Sequence, residues 1–371
     1  MSAPANSAVY VDPSTGAIST GAVQFRNRII NGDMRIDQRL AGTANAALLT
    51  GQDVYTADRW AVWRNASGAN YTVQRIANAG APGNDFALQA TVTSSATPGT
   101  NDIYFMHQKI EGFNVNDFGL GTANAAFFTI SFHVRSSVTG TFGLIATNGA
   151  KNRSFAATYT VNAANVWEYK VITIKGDVAG VWAKDNTTGL DIIWSLGAGS
   201  GASTAASGAW VAGGFYNVTG AVQFVGSAVG STFALTNVQV ERGTVATPFE
   251  VRPFSMEYSL CIRYYEVFGK SGTGIQNRFV GYQAGTLMIS KFDWPTKRAT
   301  PSVAFSTSAS TPTIIYKTGG TTSFSSGFSY VSSPQGMYLN WEGMTSAGGY
   351  GLHIDIGNGA TNTTFEVSAE L

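Results

Sequence analysis

The stretch Phe128-Thr-Ile-Ser-Phe-His-Val134 sets Phe128, Ile130, Phe132 and Val134 in alternation with Thr129, Ser131 and His133. A period of two sends successive side chains to opposite faces, so four apolar groups share one face of a strand and the other stays polar. Leu190, Ile192, Trp194 and Leu196 repeat the pattern against Asp191, Ile193 and Ser195, and Trp167, Tyr169 and Val171 follow it more weakly. From Phe25 to about Arg252 such runs alternate with Gly, Asn, Pro and Asp turns, which is how two packed antiparallel sheets read. In the last of these strands the apolar parity passes from Phe233 and Leu235 to Val238 and Val240, and a β-bulge near Thr236 and Asn237 explains the change.

The surrounding chain divides around this sandwich. At 371 residues two domains are expected. Residues 1–24 hold Ala8–Val11, an Asp12–Gly16 turn and Ala17–Thr20, which read as a small β-hairpin, expected to be either a docking arm or an ordinary ordered terminus. Gly197–Gly208 has no apolar period and reads as a long surface loop. After Pro248 and Pro253 the period changes to that of a helix: Met256, Leu260, Tyr264, Val267 and Phe268 fall on one face, with Ser255 as N-cap and Gly269 just past the end. A helix this short needs its apolar face covered, so Met256, Leu260, Tyr264 and Phe268 are the expected oligomer contacts. Strand patterns resume at Ala299–Phe305, Gly336–Trp341 and Thr363–Leu371. The fold class is therefore mainly β: a β-sandwich over 25–252, one short connecting helix over 253–271 and a smaller C-terminal β domain over 272–371.

Composition narrows the function. Charged residues are 12% of the chain, against roughly 25% for soluble domains, while aromatics reach 12%, so the chain folds and is turn-rich. A net charge of +1 and the absence of Lys/Arg runs argue against a nucleic-acid partner. No stretch approaches the roughly 20 apolar residues of a membrane span, and Cys261, the single cysteine, cannot close an intrachain disulfide. His107, His133 and His353 lack metal-ligand spacing, and no nucleophile elbow, P-loop or dinucleotide fingerprint is present. Asp53, Asp58, Asp102 and Asp117 stand in turn contexts where Asp bonds the local backbone, so no enzyme is expected. Carbohydrate binding suits the composition better, because sugar rings stack on aromatic faces and Asn and Asp bind hydroxyls. Trp60, Trp63 and Tyr71 are aromatics of interest, and the candidate glycan-binding residues are Trp182, Asp185, Asn186 and Trp210, which flank polar or Gly-rich loops.

Five motifs follow one another in order: Asn31-Gly-Asp33, Ala57-Asp-Arg-Trp60, Asn237-Val-Gln-Val-Glu241, Ala246-Thr-Pro-Phe249 and Leu260-Cys-Ile-Arg-Tyr-Tyr265. Together they resemble tailed-bacteriophage virion proteins of the tail-fibre and receptor-binding type, whose jelly-roll sandwich is similar to carbohydrate-binding modules. The resemblance covers about residues 27–268. Ile289–Pro301 also resembles fibre tips with a Met-Arg-x-x-Pro pattern, although Lys297-Arg298 replaces Met-Arg and Pro301 comes one residue late. The resemblance implies a homotrimer located in the virion and assembled in the host cytoplasm. Its partners would be other virion proteins and host surface polysaccharide, without membrane insertion. It implies no cofactor beyond a structural calcium between the first and last strands, for which Asp33, Asn237 and Glu241 are the corresponding positions. The function implied is receptor binding; the alternative is a head-decoration (head fibre) or tail-adaptor protein with a purely structural role.

Overall fold

The computed structural model describes residues 10–11, 18–19, 25–45, 50–65, 68–268, 277–284, 287–306, 313–315, 321–323, 328–341, 352–356 and 364–371. Strands β1 (Tyr10–Val11) and β2 (Ile18–Ser19) pair antiparallel with Tyr10 opposite Ser19, the hairpin expected there; its turn and Gly269 lie outside the described residues.

The sandwich begins with β3 (Val54–Tyr55), β4 (Ala61–Arg64), β5 (Asn70–Ile76), β6 (Ala87–Ser94) and β7 (Ile103–Glu111), then one turn of helix, α1 (Gly112–Val115). It continues through β8 (Phe127–Ser136), β9 (Gly140–Thr147), β10 (Arg153–Val161), β11 (Glu168–Lys175) and β12 (Thr188–Ala198). The short β13 (Ser203–Thr204), β14 (Trp210–Ala212) and β15 (Asn217–Val218) precede the long closing strand β16 (Thr232–Arg242). Five strands form one sheet in the order β11-β8-β16-β6-β5, and seven form the other in the order β14-β10-β9-β12-β7-β4-β3. The chain passes back and forth between the two sheets from β6 to β16, the winding of a jelly roll.

Alternation places the core correctly in the central strands. Phe128, Ile130, Phe132 and Val134 of β8 meet Leu190, Ile192, Trp194 and Leu196 of β12, all fully buried. Trp194 packs between Trp60 and Phe132, with ring centroids 5.5 and 5.6 Å away. The bulge is present too: the β16–β8 register shifts between Thr236 and Gln239, and Asn237 adopts a positive φ of 51°. Phe233, Leu235, Val238 and Val240 all reach the core as a result.

Three expectations need correction. On β11, Tyr169 and Val171 face solvent, 50% and 46% exposed. Register explains this: Ile172 and Ile174 pair with Ile130 and Phe128 of β8, and residues opposite each other share a face. Gly197–Gly208 is not a free surface loop; Ala198, Ala202 and Thr204 are buried. A Cβ at Gly199 would lie 1.8 Å from the Gly99 carbonyl oxygen, so glycine here permits contact between two backbones. Finally, the connecting helix does not fill 253–271. Helix α2 (Phe254–Ile262) is short, Pro253 rather than Ser255 is its N-cap, and β17 (Tyr265–Phe268) pairs with strand Thr364–Ser368. Strand pairing wins over helical periodicity in the aromatic and β-branched run Tyr264–Phe268.

The C-terminal part contains a three-stranded sheet, β17 beside Thr364–Ser368 beside Ser302–Ser306. Seven further strands between Asn277 and Ile356 form a second sheet. Among the described residues no helix is long and apolar enough to cross a membrane.

Candidate functional site

The five motifs converge on one buried polar hub at the base of the sandwich. Asn27 donates from Nδ2 to the Val238 carbonyl and accepts the Val240 and Ile29 amides on Oδ1. Asn31, with φ at 57°, bridges the Ile36 and Asp58 backbone with its side chain and accepts Trp60 Nε1 on its carbonyl at 2.9 Å. A Cβ on Gly32 would be 2.2 Å from the Val238 oxygen, so the central motif residue must be glycine. Glu257 of α2 accepts the Asn31 amide and pairs with Arg252, both carboxylate and guanidinium being buried. Arg59 ion-pairs with Glu370 and stacks over Tyr264, 3.6 Å from the ring centroid. Tyr264 and Arg263 in turn bond Glu111 of β7. Burial pushes the Asp58 carboxyl up to about 6. Arg298 donates to the Ala369 and Glu370 carbonyls, to the Arg263 carbonyl through its amide and to the Asn186 carbonyl, so the Ile289–Pro301 segment ties the C-terminal strand to the hub and the sandwich.

Of the residues expected at an oligomer interface, Tyr264 belongs to this hub and Leu260 packs at its edge. The buried face of α2 is Glu257 and Cys261, with Tyr264 beyond it, packed on Ile30 and Ile36 of the same chain. Met256 is exposed, Leu260 is half-buried, and Phe268 packs edge-on against Phe292 at 4.8 Å. Apolar periodicity misplaces the face because a buried carboxylate occupies it.

Asp33, Asn237 and Glu241 do not fit a calcium ion. Asp33 pairs with Arg35 at 2.7 Å, Asn237 donates to the Pro82 carbonyl, and the two Glu241 oxygens accept from Thr247 N, Thr247 Oγ1 and Gln239 Nε2. Calcium takes roughly six to eight oxygen ligands, and among the described residues no group of three or more His, Cys, Asp or Glu is gathered for a metal.

The four residues expected to bind glycan are engaged elsewhere. Trp182 is buried, donates to the Ala179 carbonyl and meets Trp210 edge-on at 5.2 Å. Trp210 donates to the Lys175 carbonyl and packs on Phe155. Asp185 closes a local turn with Thr187, and Asn186 exchanges hydrogen bonds with Arg298. The depression beside Trp182, lined by Val115, Leu120 and Lys184, has a volume of about 10 Å³, too little for a sugar.

A better candidate lies on the outer face of the seven-stranded sheet. Alternation turns Phe105, His107 and Lys109 of β7 outward, with Asp191, Ile193 and Ser195 of β12 beside them. Trp63 stands opposite Phe105 across the β4–β7 ladder, rings parallel within 5° and centroids 6.3 Å apart. Tyr216, from the segment that folds over this face between β14 and β15, stacks on Phe105 within 2° at 5.4 Å. Trp63 and Tyr216 are half-buried at the two ends of the row, and Phe105 between them is buried.

Next to the rings runs a strip of charge. His107 is enclosed, its Nδ1 3.0 Å from both Asp191 oxygens and its Nε2 3.0 Å from Asp53 Oδ1. Lys109 Nζ bonds Asp53 and, at 2.9 Å, the Leu371 main-chain oxygen, while Lys151 pairs with Asp191. Burial alone would lower the His107 pKa, but the two carboxylates carry it above the ordinary histidine value. Burial would raise Asp191, yet His107 and Lys151 hold it well below the usual carboxylate range. With both nitrogens facing carboxylates, His107 stores charge and has none free to take a proton from a ligand. Ser195 Oγ and Asn217 Nδ2, buried on this face, lack a protein partner among the described residues and suit bound water. Nothing in the sequence links His107 to Asp53 and Asp191, which lie 54 and 84 residues away; of the aromatic row, sequence reading singles out Trp63 alone.

No protein-family model matches the chain, and no curated protein matches it. Among solved structures, the sandwich is similar to the enzymatically active domain of bacteriophage CBA120 tailspike protein 4, at 11% identity and a TM-score of 0.32. That match covers 59% of this chain, which spans only 22% of the tailspike chain. TmCBM61 in complex with β-1,4-galactotriose aligns at 10% identity over 59% of this chain and 99% of its own, with a TM-score of 0.29. A sugar binding protein assigned from Bacteroides thetaiotaomicron aligns at 10% identity over 58% of this chain and all (100%) of its own, with a TM-score of 0.32. The likeness is one of sandwich layout.

Proposed function

We propose that this chain is a bacteriophage virion protein, a tail fibre or receptor-binding protein that holds host-surface glycan on the outer face of its seven-stranded sheet, and that it is not an enzyme. The observation that carries the reading is the row of parallel rings Trp63, Phe105 and Tyr216 beside a charged strip. Phe105 is buried between its neighbours, so the stacking area is that of Trp63 and Tyr216, with hydrogen bonds from the strip beside them and little enclosed volume. Affinity per site should be weak, about millimolar or ~4 kcal/mol, and several copies on one particle raise it by factors of roughly 10² to 10⁴. Residues 1–24 would dock the protein to other virion components during assembly in the host cytoplasm.

Trp63→Ala tests the reading. It should leave near-ultraviolet circular dichroism native and weaken binding to host polysaccharide about tenfold, since an aromatic stack contributes ~1 kcal/mol or more. If neither this substitution nor an excess of purified protein changes adsorption of the particle, the glycan reading fails.

A purely structural role, as head decoration or tail adaptor, is favoured by a different observation. Val251, Phe254 and Met256 around the start of α2 are exposed, as are Tyr169 and Val171 on β11, and apolar groups of this kind suit subunit contacts. Either role is consistent with a homotrimer. Sedimentation should give three times the 39.1 kDa chain mass, and Phe254→Ser with Met256→Ser should shift it toward the monomer. A monodisperse wild-type monomer at micromolar concentration would remove the trimer from both readings.

A further inference from the structure

Resting on the reading of the outer sheet face as a glycan surface, the geometry points to an acidic sugar, one bearing a carboxylate such as a uronic acid, as its ligand. Both nitrogens of His107 face carboxylate oxygens at 3.0 Å. A neutral imidazole would turn a bare nitrogen lone pair on one of them, so the ring is an imidazolium. Counted over side chains, Lys109, His107 and Lys151 then outnumber Asp53 and Asp191 by one, and the Leu371 main-chain oxygen lies on Lys109, away from Lys151.

That excess reaches solvent through Lys151. Its side chain is 26% exposed, whereas the Asp191 beneath it is fully buried with its oxygens taken by His107 and Lys151. An ammonium has three donors. Among the described residues Lys109 uses one on Asp53 and one on the Leu371 oxygen, whereas Lys151 uses one, on Asp191. A Cβ at Gly214 would lie 2.6 Å from the Lys151 carbonyl oxygen and 3.6 Å from the Tyr216 hydroxyl, and burial together with the charge of Asp191, the partner of Lys151, raises the Tyr216 pKa, so the ammonium and the hydroxyl end of the terminal ring face the same carboxylate. A pyranose stacked on Tyr216 would present its exocyclic carboxylate toward the two unused donors; a neutral sugar would leave them to water.

Titration calorimetry with oligogalacturonate and with a neutral β-1,4-galactan oligosaccharide of equal length tests this. The acidic oligomer should bind about tenfold tighter at low salt, and the gap should close near 1 M salt, where the screening length falls from about 10 Å to about 3 Å. Lys151→Met should abolish the preference and Lys151→Arg should keep it, with a native near-ultraviolet circular dichroism spectrum of each variant at the assay temperature showing that it folds. Equal binding of both sugars by the wild-type protein, or a preference that survives in Lys151→Met, overturns the inference and leaves the glycan surface standing. Binding of neither sugar overturns both.

Discussion

Arg59→Ala should destabilise the folded chain by about 3–5 kcal/mol, the range for removing one partner of a buried ion pair. The Arg59 side chain is 1% exposed and makes three kinds of contact at once. It pairs with Glu370, donates to the Lys109 carbonyl at 2.7 Å and lies over the Tyr264 ring. Truncation leaves Glu370 with Arg39, at 3.0 Å, among the described residues and takes a donor from the part-buried Lys109 carbonyl. Thermal unfolding followed by circular dichroism should move down by on the order of 10 °C, taking ~2–4 °C per kcal/mol for a domain of this size. Arg28→Ala is the matched control, because the Arg28–Asp117 pair is exposed and such pairs contribute at most about 1 kcal/mol. If the two variants unfold at the same temperature, the hub does not hold the sandwich to the C-terminal strand.

Trp194→Ala should cost a similar amount, about 3–5 kcal/mol, through lost burial and the cavity it leaves. The ring has no exposed surface and is gripped by Trp60 from the seven-stranded side and by Phe132 from the opposite sheet. Its Nε1 has no partner among the described residues, so the loss is one of packing and not of a hydrogen bond. Urea denaturation should show a lower midpoint at an unchanged slope. Trp194→Phe should recover part of the difference, and Phe113→Ala, at a residue 60% exposed, should change little. A Trp194→Ala midpoint equal to that of Phe113→Ala would mean that the sheets are not held together here.

The reach of sequence reading follows from what each pattern depends on. Alternation is legible in β8 and β12 because both strands are central and their inward faces are wholly apolar. It misleads on β11, an edge strand, where exposed Tyr169 and Val171 look as apolar as half-buried Ile172 and buried Ile174. The bulge is legible because a strand that keeps one face on the core can change its apolar parity only by taking in an extra residue. The motifs are legible as a set, yet their common role is not: Asn31, Arg59 and Glu257 touch only after folding. Trp182 and Trp210 lie beside polar loops in sequence and beside each other in space. The Asp53–His107–Asp191 bridge joins three separate segments, so no local spacing announces it.

Closing the sandwich joins residues very far apart in the chain. Asn27 reaches Val238 and Glu250, and Asn31 reaches Glu257, at separations of 211, 223 and 226 residues. The ordering entropy of such a loop must be met before its contacts reward it, so folding is expected to be slow and its last step late. The same arrangement works in reverse on the way out. Contacts that form after the transition state retard unfolding, and a knot of buried ions that opens only as a unit lengthens the lifetime of the native state. On a particle of the kind proposed, waiting outside any cell with no means of replacement, that lifetime governs how long the protein stays usable.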